Sequence, residues 1–447
     1  MSVPKERLSL LFLIFLNFSQ LGIQIGFAVE FAFLMKFLED VLSLTPLMSS
    51  LAFISGPLSG FIVNPIVGAL SDRCNSKLGR RRPFIILGTV ITALSLLIVG
   101  VSHPFLAFYV NDLTAVITVL AGLWLLNIGL NVLATPCRAL VTDVVSRLSN
   151  NSVTEQTRAQ SVCGLCVSIA QVVSNFLIYI SANEDVTFKI PIDGMERTML
   201  IVFPAAAIAV LLVSLPSLIV GKEKVFVDVT DEKKSGLTQM FGQLGTALAQ
   251  STVAVRILGG VFYLSWIGFF PFQLYVTKAL GMKLGSLALT LMSVGSFAMS
   301  TVCPVLCRKL GHRLTYCLAC LIGACGVVTP LITEVVNIRS VAFFVVGFAF
   351  CAINVLPFDI LPLLMPKNTG TYYSLLNSAL VLAQMTVLGL AAVLMGEHDS
   401  FISLDHIQMI AAGSVALVLA SVVVWFVKIK SDSSEEVSLL VNSDTSV

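Results

Sequence analysis

Twelve mostly apolar runs, most of about twenty residues or more, divide this 447-residue chain, and nothing else in it constrains the fold so tightly. A helix rising about 1.5 Å per residue needs about 20 such residues to cross the hydrocarbon core of a bilayer. The runs fall at roughly 8–36, 47–70, 83–102, 115–143, 158–182 and 198–220, then at roughly 253–278, 286–307, 314–334, 341–365, 371–396 and 406–428. In lipid every backbone N–H and C=O must be satisfied internally, which leaves helices or closed barrels. Barrel strands alternate apolar and polar residues, and these runs do not. The expectation is an all-α membrane protein with twelve transmembrane helices. Composition agrees: 12% of the residues are charged, roughly half of what a water-facing surface uses. The first run begins at Leu8 and passes Val29, too long for the apolar core of a cleaved signal, so it reads as the first span.

Lysine and arginine orient such a bundle, because they accumulate on the cytosolic side. With the N-terminus inside, nineteen of the 27 fall in inner segments and six (Lys36, Lys189, Arg197, Lys278, Lys283, Arg339) in outer ones; Arg138 and Arg256 lie within or at the edge of spans. Both termini are therefore expected in the cytosol, in a plasma membrane or a vacuolar or lysosomal-type membrane. The chain divides into an N-terminal six-helix half (1–220), a cytosolic connecting loop (221–251), a C-terminal six-helix half (252–430) and a cytosolic tail (431–447). In the loop, Leu237, Met240, Phe241, Leu244 and Leu248 share one helical face. That pattern suits a short helix on the membrane surface, a simple connector being the plainer alternative. Asn150-Asn151-Ser152 is a glycosylation sequon on the cytosolic side, where it is expected to go unused.

Cys163 with Cys166, and Cys317 with Cys320, have C-x-x-C spacing but lie in apolar runs with no His or carboxylate nearby. They read as small packing residues, not metal ligands. The four histidines sit in or beside loops without an H-E-x-x-H pattern. No metal or cofactor is expected. An intramembrane enzyme would need paired catalytic groups in the core, and none is evident. A net charge of +2 marks no nucleic-acid partner. The partners implied are the lipid bilayer and a small solute.

The strongest local signal is Asn64-Pro65 through Gly68, then Ser71-Asp72-Arg73, then Gly79-Arg80-Arg81-Arg82-Pro83. Asp72 can pair with Arg73, Arg80, Arg81 or Arg82, and the arginines also suit helix C-termini. Such pairing would hold one gating state; the plainer reading is that the basic residues anchor the loop inside. Lys77-Leu78-Gly79 after the second span is echoed by Lys309-Leu310-Gly311 after the eighth, 232 residues later. The echo implies two pseudo-symmetric six-helix halves, the build of major facilitator transporters, with a substrate site at the midplane between them.

Around these motifs the chain resembles the sucrose/proton symporters of the glycoside–pentoside–hexuronide:cation symporter family. Ser71-Asp72-Arg73-Cys74 with Leu78 to Ile85 matches that group. So do Gly122-x-Trp124-x-Leu126 leading to Pro136-Cys137-Arg138-Ala139, Trp266-Ile267 with Phe270-Pro271-Phe272, and Leu376-Asn377 through Gln384-Met385. The resemblance covers both halves and implies sugar uptake coupled to H⁺. Two positions depart from it. The family's coupling Asp, eleven residues before the Arg, is Asn127 here, and an acidic D-T-D after the seventh-span motif is replaced by Val276-Thr277-Lys278.

Ionisable residues at span depth are costly, about 2.5–3.5 kcal/mol even on the lenient insertion scale, and mark candidate sites. Glu30, Arg138 and Asp359 stand out. Glu30 could equally be a solvated carboxylate near the outer interface, and Asp359, between Pro357 and Pro362, a structural partner for a basic neighbour. Asp359 lies 232 residues after Asn127, the offset of the K-L-G echo, although the repeated Asn-Val-Leu at 131 and 354 gives 223. Trp124, Asn127, Asn131, Asn354, Asn377 and Gln384 could bind sugar hydroxyls and a ring face, or glue helices together. In the tail, Glu435 with Leu439 and Leu440 forms an acidic dileucine pattern of the kind clathrin adaptors read. The leading expectation is a sugar carrier for sucrose or another disaccharide or glucoside, H⁺-coupled as in the family. The alternatives are an uncoupled facilitator and a non-transporting membrane sugar sensor.

Overall fold

The computed structural model describes residues 8–72, 74–109, 112–149, 153–181, 194–223, 248–364, 369–395 and 404–428. Arg73, most of the connecting loop, the sequon and the tail motif at Glu435, Leu439 and Leu440 lie outside them. Among the described residues eleven segments are long and apolar enough to cross a membrane. One of these, Val253–Cys303, runs for 51 residues, more than twice the length a span needs. It breaks at Gly281, whose φ of 78° is a conformation that side chains disfavour and glycine tolerates. The helix Val253–Leu310 is therefore the seventh and eighth spans joined, and the bundle has twelve.

The first span consists of Leu10–Leu16 and Phe18–Asp40. It is interrupted at the fully buried Asn17, whose Nδ2 donates to Leu13 O at 2.8 Å. It reaches four residues past the apolar run, because Phe37 and Leu38 are packed inside rather than ending at the interface. The second span begins at Pro46–Phe53, capped by Thr45, and continues as Ser55–Asp72. Arg82–Tyr109, Asp112–Leu148, Val153–Ser181 and Gly194–Val220 follow as spans three to six. After Gly311, at φ 79°, come His312–Ile332, Val336–Leu364, Thr369–Leu394 and His406–Val423 as spans nine to twelve.

Each half packs chiefly on itself: the third span on the fourth and sixth, the joined seventh and eighth on the tenth and twelfth. Without a hydrophobic drive between helices in lipid, close approach of small residues has to supply the packing. A Cβ on Gly129 would stand 2.8 Å from Thr92 N, and a Cβ on Gly347 would collide with Met292 O, so the eighth and tenth spans touch backbone to backbone. Leu212 and Val393 remain 59% and 68% exposed, as lipid-facing side chains should. The halves meet where the first, second and fifth spans contact the seventh, eighth and eleventh.

All ten cysteines are free. Cys166, Cys317 and Cys320 are buried among apolar neighbours.

Candidate functional site

Glu30 lies midway along Phe18–Asp40 and is 2% exposed, so it is not the solvated interfacial carboxylate that its place in the apolar run allowed. Its Oε1 accepts from Asn127 Nδ2 at 2.8 Å, while its Oε2 is buried with no partner. The Asn127 amide also reaches Ser55 Oγ and its own helix's Leu123 O, each at 3.2 Å. One turn further on, Asn131 Nδ2 donates to Ser59 Oγ (3.0 Å) and its Oδ1 accepts from Asn64 Nδ2 (2.9 Å). Thr135 Oγ1 donates to Asn64 Oδ1 at 2.9 Å. This ladder joins the second and fourth spans, so Asn131 is occupied as helix glue. Gly56 and Gly60 let the ladder form, since a Cβ on either would press on the amide oxygens of Asn127 and Asn131.

The other candidates are not gathered here. Arg138 is exposed and makes no side-chain ion pair among the described residues. Asp359 is exposed on the last turns of the tenth span, within electrostatic reach of His312 rather than of Arg138 or Glu30. Asn354, also exposed, donates to Phe350 O of its own helix. Asn377 is exposed, Gln384 half-buried and Trp124 39% exposed.

Three amides absent from the sequence-based candidates, Gln171, Asn175 and Gln273, line the seam between the halves, and Gln24 and Ser293 pair with the first two of them. A cavity of about 20 Å³ is enclosed by Phe27, Phe31, Gln171, Asn175, Gln273 and their apolar neighbours. Gln171 Nε2 donates to Gln24 Oε1 (3.0 Å), and Asn175 Nδ2 donates across the seam to Ser293 Oγ (3.0 Å). The remaining oxygens, Gln171 Oε1 and Asn175 Oδ1, are buried and unpaired. These are amides at span depth, the signal that drew attention to Asn127, so they were within reach of the sequence.

Beyond the cavity the seam is fastened at the end of the bundle opposite the termini. Ser50 and Tyr275 hydroxyls meet at 3.0 Å. Lys278 Nζ lies 3.2 Å from Glu39 Oε2 and also pairs with Asp40, while His406 Nε2 is 3.1 Å from Glu39 Oε2. At the termini end, Arg80 and Arg81 both pair with Asp143 of the fourth span, at 2.9 and 3.0 Å. The side chain of Asp72, the carboxylate expected to pair with these arginines, lies outside the described set. Arg81 also donates to Ser71 Oγ (2.6 Å), and Glu223 Oε2 accepts the backbone N–H of Arg81 (2.9 Å) and Arg82 (3.2 Å), beside Gly79 at φ 102°. Carboxylate at a helix N-terminus is the arrangement the helix dipole favours. Among the described residues no group of three His, Cys, Asp or Glu has metal-ligand geometry.

Known proteins agree with this architecture. The chain is 28% identical over 331 residues to the general alpha-glucoside permease of Schizosaccharomyces pombe, an alignment spanning 68% of this chain but only 57% of the permease. It is 29% identical over 360 residues to the sucrose transport protein SUT2 of Oryza sativa subsp. indica, covering 70% of this chain and 69% of that one. In fold it matches the crystal structure of a D-xylose-proton symporter with a TM-score of 0.67 at 17% identity, over 95% of this chain and 99% of the other. The nucleoside transporter NupG matches with a TM-score of 0.64 at 12% identity, over 93% and 98% of the two chains. The family model of the Major Facilitator Superfamily matches residues 10–387, and with two six-helix halves meeting at a polar seam the chain belongs to that superfamily, a transporter and not an enzyme.

Proposed function

We propose that this protein is a secondary carrier of a sugar, a disaccharide or glucoside, working by alternating access, with H⁺ as the coupling ion. The rocking bodies are 1–220 and 252–430. The nineteen-to-six charge split puts the termini in the cytosol, so the fastened end of the seam faces outside and the structure is the state closed to that side.

The observation that carries this reading is the seam cavity. Two amide oxygens there are buried and unpaired beside the rings of Phe27 and Phe31. Buried polar groups are seldom left unpaired, and unpaired acceptors next to an aromatic face are what a sugar's hydroxyls and ring satisfy. The cavity, about 20 Å³, holds about one water and no sugar, so the halves must part for substrate to enter. The sucrose and α-glucoside permeases among the relatives support the same substrate class. The tail pattern at Glu435, Leu439 and Leu440 supports adaptor-directed sorting away from the cell surface, to a vacuolar or lysosomal-type compartment.

Labelled sucrose and maltose should enter proteoliposomes by counterflow. Gln171→Ala and Asn175→Ala should each weaken apparent affinity roughly tenfold, the worth of about one hydrogen bond to a substrate hydroxyl. If no disaccharide, glucoside or hexose in a panel exchanges, the sugar reading fails.

A further inference from the structure

The position occupied by a carboxylate in the resembled family is an amide here, Asn127, yet a carboxylate is still present at that spot. It comes from the first span: Glu30 Oε1 sits 2.8 Å from Asn127 Nδ2. We infer that Glu30 and Asn127 form one proton-binding site, with Glu30 Oε2 as the atom that takes and releases the proton. For coupling to sugar this rests on the carrier reading above; as a proton site it stands on the geometry.

Three observations carry it. Glu30 is 2% exposed and, among the described residues, no donor reaches its Oε2, so no protein group stabilises a charge on that atom. The first span packs against the second to the eighth spans, and among the described residues no charged side chain of theirs acts on Glu30. What reaches its carboxyl is the neutral Asn127 amide, itself held by the neutral Ser55. An amide also serves both forms of the acid: its N–H₂ donates to the carboxylate, and after rotation its oxygen accepts from the protonated group. A second carboxylate at 127 would repel Glu30 or have to share its proton. With an amide at 127 and the carboxylate on the first span, the pair holds one titratable group at that place. Phe27 and Phe31 of the seam cavity flank Glu30 on the same helix, so its protonation state is felt where sugar binds.

The step moves one proton: H⁺ from the outer water binds Oε2 to give the neutral acid and leaves to the inner water when the seam opens there. Infrared difference spectra of the purified protein between acid and alkaline buffer should show a carboxylic acid carbonyl band. The band should be absent from Glu30→Gln and return in the swap Glu30→Gln/Asn127→Asp. In proteoliposomes with sucrose or maltose, an inward proton gradient should drive accumulation above equilibrium in the wild type. The accumulation ratio should fall to one in Glu30→Gln, whatever its counterflow rate, and rise again in the swap. A wild type without a Glu30-dependent band, or gradient-driven accumulation that survives Glu30→Gln, overturns the proposal. A band that behaves as expected without counterflow of any sugar in the panel upholds the proton site and overturns the sugar reading alone.

Discussion

Replacing Lys278 with alanine should shift the protein toward the state open at the far end. Lys278 is 19% exposed and holds Glu39, 6% exposed, across the seam, with Asp40 as a second partner. When the halves part there, all these charges return to water and the pairing is lost, so its free energy counts only toward the closed state. An exposed ion pair contributes about 0.2–1 kcal/mol, whereas stripping the partner from a buried charge costs about 3–5 kcal/mol. This cluster lies between those limits, and His406 still faces Glu39 at 3.1 Å, which argues for the lower half of the range. We expect about 1.5 kcal/mol, roughly a tenfold change in the ratio of open to closed states. Ser50, fully buried beneath the latch and bonded to Tyr275, is the reporter. As Ser50→Cys, it should react with a membrane-impermeant maleimide about ten times faster in the Lys278→Ala background, counted against the same protein lacking the introduced cysteine. Lys283→Ala, removing an exposed lysine five residues on, is the control and should change nothing. Less than a twofold difference between the two backgrounds would refute the latch.

Gly347→Ala should push the eighth and tenth spans apart at a cost of about 1–3 kcal/mol and lower the thermal midpoint in detergent by several degrees. Gly259→Ala, with open space at its Cβ, should leave that midpoint unchanged or slightly raised, and equal behaviour of the two variants would contradict the backbone contact. Arg138→Leu should insert and fold, because no ion pair depends on it among the described residues, yet transport at least tenfold more slowly; near-normal uptake would remove Arg138 from the pathway. Replacing Leu439 and Leu440 with alanine should move the protein toward the cell surface, and an unchanged distribution by surface biotinylation would leave the dileucine pattern without a role.

Element type and number were legible in the residues because lipid makes them a local matter. About twenty apolar residues must form a helix, since no solvent is present to satisfy an open backbone. The twelve apolar runs, 253–278 and 286–307 among them, needed nothing more; what no apolar count reveals is that those two join as one long helix broken at Gly281, at positive φ. The motif matches gave the superfamily for the same reason, being short and contiguous. Partnership was another matter. Glu30 and Asn127 are 97 residues apart and Lys278 and Asp40 238 apart, and Arg81 meets Asp143. Which side chains meet depends on how deeply one helix seats against the next, and glycines such as Gly56, Gly129 and Gly347 set that depth. A sequence shows that Asn127 has lost its charge. Only the crossing of the first and fourth spans brings Glu30 to supply it.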